Sequence, residues 1–346
     1  MSGVTGIEWT DRVWNPITGC QKVSPGCKHC YAETVAHRFW ETQYVHTVER
    51  GFIPVKAYAG DAMTGTPRKF TDVMCHEDRL LKPLSWRTGA RVFVNSMSDL
   101  FHEDVPDAFI DRVFAVMAIA SRHTFQVLTK RPERMRAYFQ SFTQPDAFRR
   151  GWNLAAWVDS IGHNDHLEAI EAIQRGLPNV WLGVSVEDQQ RADERIPLLL
   201  ETPAAVRFIS AEPLLGPVDL RGLVYYPGHS LDAFTGTATA IDDGVFLGHP
   251  FGPPNVDQGI DWVIVGGESG HSARVCEIQW IRQIVRQCRE AGTPCFVKQL
   301  GRNPLDRVPV RDIVEALAAV GAFLEDPKGG DPAEWPEDLR VREFPR

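Results

Sequence analysis

Nowhere does this chain carry an apolar run near the roughly 20 residues that a membrane-spanning helix requires. Its first residues, MSGVTGIEWTDRVW, lack the basic-then-apolar layout of a secretory leader, so a cytoplasmic location without membrane contact is expected. Positive charge is not in excess either. With 37 Lys and Arg against 45 Asp and Glu, the net charge is −8. Nothing global therefore draws the protein to nucleic acid or anionic lipid, and such binding would need a local basic patch. Internal repeats and low-complexity tracts are absent, which excludes a solenoid or a disordered linker protein. A paired set of cysteines is missing as well. Seven is an odd number, and a reducing compartment disfavours disulfides. Yet three of the seven fall within eleven residues of one another, and that cluster needs a cause.

What the chain does have is ample material for a core, at 43% hydrophobic over 346 residues. Short apolar runs recur at Val13–Thr18, Arg91–Asn95, Thr124–Thr129, Val180–Val186, Val206–Ser210, Asp261–Val265 and Cys295–Gln299. Most are continuous instead of alternating, the pattern of parallel strands covered on both faces. Helical stretches lie between several of them. Ala108–Ala120 repeats apolar residues at the helical period after Pro106-Asp107, and Trp280–Ala291 is amphipathic and stops at Gly292. Gln189–Leu200 and His166–Gln174 are weaker helical candidates. Alternating strands and helices with right-handed crossovers predict an α/β fold, a partial TIM-like (β/α)6 barrel on a parallel sheet. The barrel is assigned to residues 1–324, with insertions at 131–178 and 216–259. The second insertion reads as an irregular loop over a substrate. Residues 325–346 form a C-terminal strap or tail.

Polar residues follow most of the strands: Asn95-Ser96-Met97-Ser98-Asp99, Thr129-Lys130-Arg131, Ser185-Val186-Glu187-Asp188, Ser210-Ala211-Glu212 and Gly266-Gly267-Glu268-Ser269. Functional residues of barrels gather at the C-terminal ends of strands, so the series predicts a shared site.

The sharpest motif is Thr18-Gly19-Cys20-Gln21-Lys22-Val23-Ser24-Pro25-Gly26-Cys27-Lys28-His29-Cys30-Tyr31-Ala32, with cysteine spacing C-x6-C-x2-C. Gly19, Pro25 and Gly26 allow the tight curl that would bring three thiolates together. Three cysteines suit a [4Fe-4S] cluster with one iron left open, and that iron can bind S-adenosylmethionine for reductive cleavage to a 5′-deoxyadenosyl radical. Two other readings stand beside it. One is structural zinc with a fourth ligand from Cys75, Cys276, Cys288 or Cys295, in a non-catalytic protein acting through a partner. The other is plain buried thiols. Cys288, on the apolar stripe of a helix, and Cys295, opening a buried strand, read as inert.

The three-cysteine loop after a first strand, followed by β/α units, resembles the radical S-adenosylmethionine superfamily. The usual C-x3-C-x-aromatic-C spacing is lengthened here by three residues, and His29 stands in the aromatic slot that flanks adenine. Over residues 14 to 345 the chain is more specifically similar to the phage- and bacteria-associated three-Cys-motif proteins, a radical S-adenosylmethionine-like group of largely unknown function. The segments WNPITGCQKVSPGCKHCYA, FVNSMSDLFHEDVP, QVLTKRPERM, WLGVSVEDQ, FISAEPLLGP, WVIVGGESG and EWPEDLRVREFP carry the likeness.

The resemblance implies Cys20, Cys27 and Cys30 as cluster ligands and His29 beside the adenine. The Gly-Gly-Glu run usual after the second strand is replaced by Ser96, Ser98 and Asp99, which offer acceptors for the cofactor's ammonium group. Asp99 is equally suited to capping the next helix. Lys130, with Arg131, suits the cofactor carboxylate, a substrate phosphate or plain solvation. Ser185 and Glu187 lie where the superfamily contacts the ribose. Glu212, Lys298, Gln299 and Arg274 are weaker polar candidates. A reductant protein is an implied partner. The substrate is a small molecule or a nucleic acid that the sequence does not identify, although Arg131, Arg134, Arg136, Arg149 and Arg150 together suggest a basic face for a nucleobase or nucleic acid.

Overall fold

The computed structural model describes residues 3–40, 44–48, 51–54, 66–144, 147–163, 173–226, 228–240, 258–306 and 324–345. They fall into two compact units, one of Met1–Trp181 with Pro203–Ala205 and the other of Leu182–Thr202 with Val206–Arg346.

In the first unit, strands β1 (Arg12–Trp14), β2 (Arg91–Val94) and β3 (Thr124–Thr129) run parallel, with Val13 opposite Phe93 and Val92 opposite Phe125. A short antiparallel strand, Gly3–Val4, edges β1. Trp14, Val92, Val94, Phe125 and Val127 are buried, whereas Phe93 on the other face of β2 is half-buried. The first expected strand is shorter than Val13–Thr18. Pro16 cannot donate to a ladder and restricts Asn15, so the sheet strand ends at Trp14. Ile17–Thr18 then turns away to pair antiparallel with Met74–Cys75.

Helix α1 (Tyr31–Trp40) follows the cysteine loop, and α2 (Asp107–Ile119) follows β2. The latter buries Phe109, Ile110, Val113, Phe114, Val116 and Met117, the residues that its helical period put on one side. Insertion 131–178 does supply extra helices, α3 (Pro132–Gln140) and α4 (Ala147–Ser160). The candidate helix His166–Gln174 lies mostly outside the described residues.

The second unit carries β4 (Val180–Ser185) from Leu182 onward, α5 (Gln189–Leu200), β5 (Val206–Ala211), β6 (Trp262–Gly266), α6 (Ile278–Ala291) and β7 (Cys295–Gln299). Phe208 faces Trp262 across the parallel β5–β6 pair, and Ile264 faces Phe296 across β6–β7. Asp188 caps α5 by accepting from the Arg191 backbone N–H at 2.9 Å. At the far end of α6, Gly292 adopts φ 72°, a left-handed stop that a side chain would disfavour.

Insertion 216–259 is not wholly irregular. Leu223–Tyr226, His229–Asp232 and Thr237–Ala240 form a three-stranded antiparallel meander, and 241–257 lie outside the described residues. Gly and Thr dilute the alternation that would have announced these strands. The C-terminal segment is a strap: Val297 N–H donates to Val341 O at 2.8 Å, and Glu343 N–H donates to Cys295 O at 2.9 Å. Phe344 packs on Trp262 and Phe296. The fold class is α/β, with the repeated parallel β/α units of a partial TIM-like barrel. Among the described residues, no helix is long and apolar enough to cross a membrane.

Candidate metal-cluster site

In the first unit β1, β2 and β3 are parallel, so the segments that follow them leave from the same edge. The cysteine loop follows β1, Asn95–Asp99 follows β2, and Lys130-Arg131 follows β3. Hydrogen bonds stitch the three together. Asn15 Oδ1 accepts from Met97 N–H at 3.1 Å and from the Ser96 hydroxyl at 3.2 Å. The Ser98 hydroxyl donates to Ile17 O at 2.9 Å. Gly19 N–H donates to Met97 O at 3.1 Å, and Cys20 N–H to Phe70 O at 2.9 Å. Gly19 has φ 94°, and a Cβ there would stand 2.4 Å from Asp72 O, so only glycine fits.

Beneath the loop a polar chain holds Thr18. Arg68 Nη2 donates to its hydroxyl at 2.6 Å and to its carbonyl at 3.2 Å, and the hydroxyl meets His76 Nε2 at 2.7 Å. Burial first, then the charges of Arg79 and Arg68, press the His76 pKa down to about 3, so the ring is neutral and can accept from Thr18. Arg68 also lies over the Trp40 ring at 3.6 Å.

Cys27 closes a tight turn, Pro25–Cys27, in which its N–H donates to Ser24 O at 3.0 Å. Cys30 immediately precedes α1, and its carbonyl accepts from Thr34 N–H at 3.1 Å. Cys20 and Cys30 both pack against Ala32, Ala36, Trp40, Phe70 and Met97. All three cysteines are free thiols and partly buried. Burial, and then Asp99, push the Cys20 thiol up to about 12 despite the opposing charge of Arg131. Burial also raises Cys30, opposed by the backbone N–H groups of Glu33 and Ala32 and by Lys130.

Arg131 is the hub. Its Nη1 donates to Cys20 Sγ at 3.6 Å and to Asp99 Oδ2 at 3.3 Å, Nη2 donates to Gln21 O at 3.2 Å, and Nε reaches Glu103 at 3.2 Å. Asp99 in turn accepts from the Thr129 hydroxyl at 2.8 Å and from the N–H groups of Phe101 and Lys130 at 3.0 Å. It does not cap the next helix, which begins eight residues on at Asp107. The sequence placed Arg131 at a strand end, but only the fold shows that its partner is a cysteine sulfur. Asn95 has no distinguishing mark in the sequence. It has φ 61° at the end of β2, accepts from Ile17 N–H at 3.3 Å, and carries a buried Nδ2 with no partner among the described residues. An unpartnered polar group at a strand end is the signal that singles it out, and it is visible only in three dimensions.

Three charged candidates of the second unit have partners within it. Glu187 is fully buried in the second unit, where Arg195 Nη1 reaches its carboxylate at 3.2 Å and Ser185 O at 2.8 Å. That pairing engages the carboxylate that the sequence offered to a ribose. Glu212 pairs with Lys298 at 2.7 Å and accepts from Gln299 at 3.1 Å, and Arg274 pairs with Glu268 at 2.7 Å. The expected basic face is also reduced. Arg131 is engaged as above, Arg134 pairs with Asp107, and Arg150 pairs with buried Asp111. His29 is half-buried on the loop.

A family sequence model covers residues 4–319 of the chain. The chain belongs to the DUF5131 family, described as proteins of unknown function. No curated protein and no solved structure matches this DUF5131 chain.

Among the described residues, no group of three or more His, Cys, Asp or Glu side chains is close enough to hold a metal ion. Neutral thiols have no electrostatic reason to converge, and metal binding requires that they first lose their protons. In type and number the donors suit an iron–sulfur cluster. Three free thiols share one loop, N–H donors face Cys20 and Cys30, and a buried amide donor at Asn95 lacks an acceptor among the described residues.

Proposed function

We propose that this DUF5131 protein is a radical S-adenosylmethionine enzyme of the cytoplasm, acting on a small molecule or nucleobase, with Cys20, Cys27 and Cys30 holding a [4Fe-4S] cluster. The observation that carries this reading is the set of three free cysteines on one glycine-turned loop, seated where β1, β2 and β3 end. When bound, such a cluster would supply one electron to the sulfonium of S-adenosylmethionine and so release a 5′-deoxyadenosyl radical.

This chain's own residues prepare the place. Gly19 lets the loop double back, and Arg68 with His76 fixes Thr18 just before it. Arg131 and the N–H groups of Ala32 and Glu33 offset the cost of thiolate charge at Cys20 and Cys30. Asn95 Nδ2 keeps a donor for an oxygen of the cofactor, in an enclosed setting where an unmade hydrogen bond costs about 1–3 kcal/mol. The Ser96 hydroxyl is bonded to Asn15 and the Ser98 hydroxyl to Ile17 O, so both are fixed parts of the same strand end. Asp99, already bonded to four donors, serves the framework more than an ammonium group.

Anaerobic purification with iron and sulfide analysis tests the reading, followed by incubation with dithionite and S-adenosylmethionine. The expected result is a brown protein that yields 5′-deoxyadenosine. A colourless protein with one tightly held zinc would replace the reading with that of a structural metal module.

A further inference from the structure

Every nitrogen of the Arg131 guanidinium is used, in three directions that reach two segments distant from it in sequence. One points to Asp99, after β2. A second points to Glu103, further along the same connection. The third points into the cysteine loop, at Cys20 Sγ and Gln21 O. The side chain is only 5% exposed. A buried guanidinium is costly unless its donors are met, and Asp99 alone would have neutralised its charge. Extending the remaining donors to the loop does something further, because it ties the Cys20 sulfur to the rigid end of β3. The backbone supports this. Arg131 N–H donates to the Thr129 hydroxyl at 2.9 Å, and Pro132 opens α3 directly behind it, so the arginine's stem is held from both sides.

We infer that Arg131 is the positioning residue for Cys20, clamping the first cluster ligand to β3 and raising the reduction potential of whatever cluster the loop holds. The inference rests on the proposed cluster site. Its physical basis is general: a positive N–H donor beside a ligating sulfur stabilises the more negative, reduced state of a cluster. Glu103 opposes it. Its carboxylate, 64% exposed, offsets part of the Arg131 charge from the solvent side.

The carboxylate-side and loop-side roles separate by variant. R131Q removes charge and fork, R131K keeps the charge and loses the fork, and E103Q removes the opposing charge at an exposed position where folding is safe. Each chain is reconstituted anaerobically with iron and sulfide. Its cluster is titrated with dithionite and mediator dyes, one electron from the reductant converting the oxidised cluster to the reduced one, read by electron paramagnetic resonance. At the wild-type midpoint, R131Q should lower the ratio of reduced to oxidised cluster about tenfold, equivalent to about 59 mV for one electron. E103Q should move the ratio the other way, and R131K should stay near wild type. Hydrogen exchange gives the second readout and needs no cluster. The amides of Gly19 and Cys20 should exchange faster in both R131Q and R131K, with those of α2 unchanged.

Equal midpoints in wild type, R131Q and E103Q, in protein that does load iron, would sink this inference and leave the cluster reading standing. Should R131Q not fold, E103Q and R131K still decide, since an unmoved E103Q midpoint with unmoved loop exchange in R131K defeats it equally. A wild-type chain that takes up zinc and no iron overturns both.

Discussion

Arg131 Nη1 lies 3.6 Å from Cys20 Sγ and 3.3 Å from Asp99 Oδ2, so one guanidinium joins the loop after β1 to the turn after β2 from its own seat at the end of β3. Three strand ends are thereby made into one site. The relationship also explains why Asp99 can be 5% exposed without a solvent partner. Its oxygens are filled by Arg131, the Thr129 hydroxyl and two backbone N–H groups. Converting it to Asn would lose acceptor strength without making a cavity. It would also strip buried Arg131 of its charge partner and turn an NH2 toward groups that themselves donate, so D99N should lower iron content several-fold and cost about 3–5 kcal/mol of stability, read as a clearly lower melting temperature.

Single serine variants of the three cysteines should behave alike. C20S, C27S and C30S are each expected to lose at least about tenfold in bound iron per chain after anaerobic reconstitution. C276S, C288S and C295S should keep it, because those thiols are buried within the second unit. Iron retained at full stoichiometry in C27S would show that the loop does not ligate through all three.

Gly19 offers a sharper structural test. Alanine there must adopt φ near 94° and place its Cβ 2.4 Å from the carbonyl oxygen of Asp72. The backbone strain alone is worth about 1–3 kcal/mol, with displacement of the 66–72 segment in addition. Urea denaturation of G19A should show a clearly lower midpoint. G26A is the comparison on the same loop, since Gly26 has no left-handed conformation, and should cost less.

Acid should weaken the platform under the loop through His76. Unfolded, the ring takes a proton near 6.5, but in the fold it resists one until about 3. Between those values the unfolded chain binds more protons, so stability falls as pH drops from 6.5 toward 3. The slope from this one group is at most about 1.4 kcal/mol per pH unit. Urea midpoints measured from about pH 7 to about pH 4 should fall more steeply for wild type than for H76N, where the titrating ring is gone. Parallel curves would show that His76 takes no part in the acid response.

In the second unit, Glu187 and Arg195 form a buried pair at 3.2 Å, with exposures of 0% and 5%. R195M strands a carboxylate in the core and should cost about 3–5 kcal/mol, whereas R195M combined with E187L should recover much of that loss. Thermal or chemical unfolding of the two variants checks it. A double variant as unstable as R195M would mean that Glu187 is supported chiefly by other partners.

Local chemistry made several features readable from the chain. The apolar runs at Thr124–Thr129 and Cys295–Gln299 are strands over those same residues, because continuous β-branched and aromatic sequence needs cover on both faces. Gly292 ends its helix where a left-handed stop was required. The cysteine spacing, with Gly19 and Pro25 to turn it, announced a tightly turned loop carrying three thiols. The meander at 223–240 is not legible in the same way, since its short strands carry too few apolar residues to alternate.

Sequence alone therefore determined which residues form most strands and helices, and that three thiols share one loop, because propensity, periodicity and turn chemistry act over a few neighbours. Only the tertiary structure decided which partner each polar strand end takes. Arg131 and Cys20 are 111 residues apart in the chain, and Glu187, an equally plausible acid at a strand end, is held by Arg195 instead. Pairings of that kind arise from strand order and burial, where a charge takes whichever partner the fold brings within reach, and neither is written in the residues on either side.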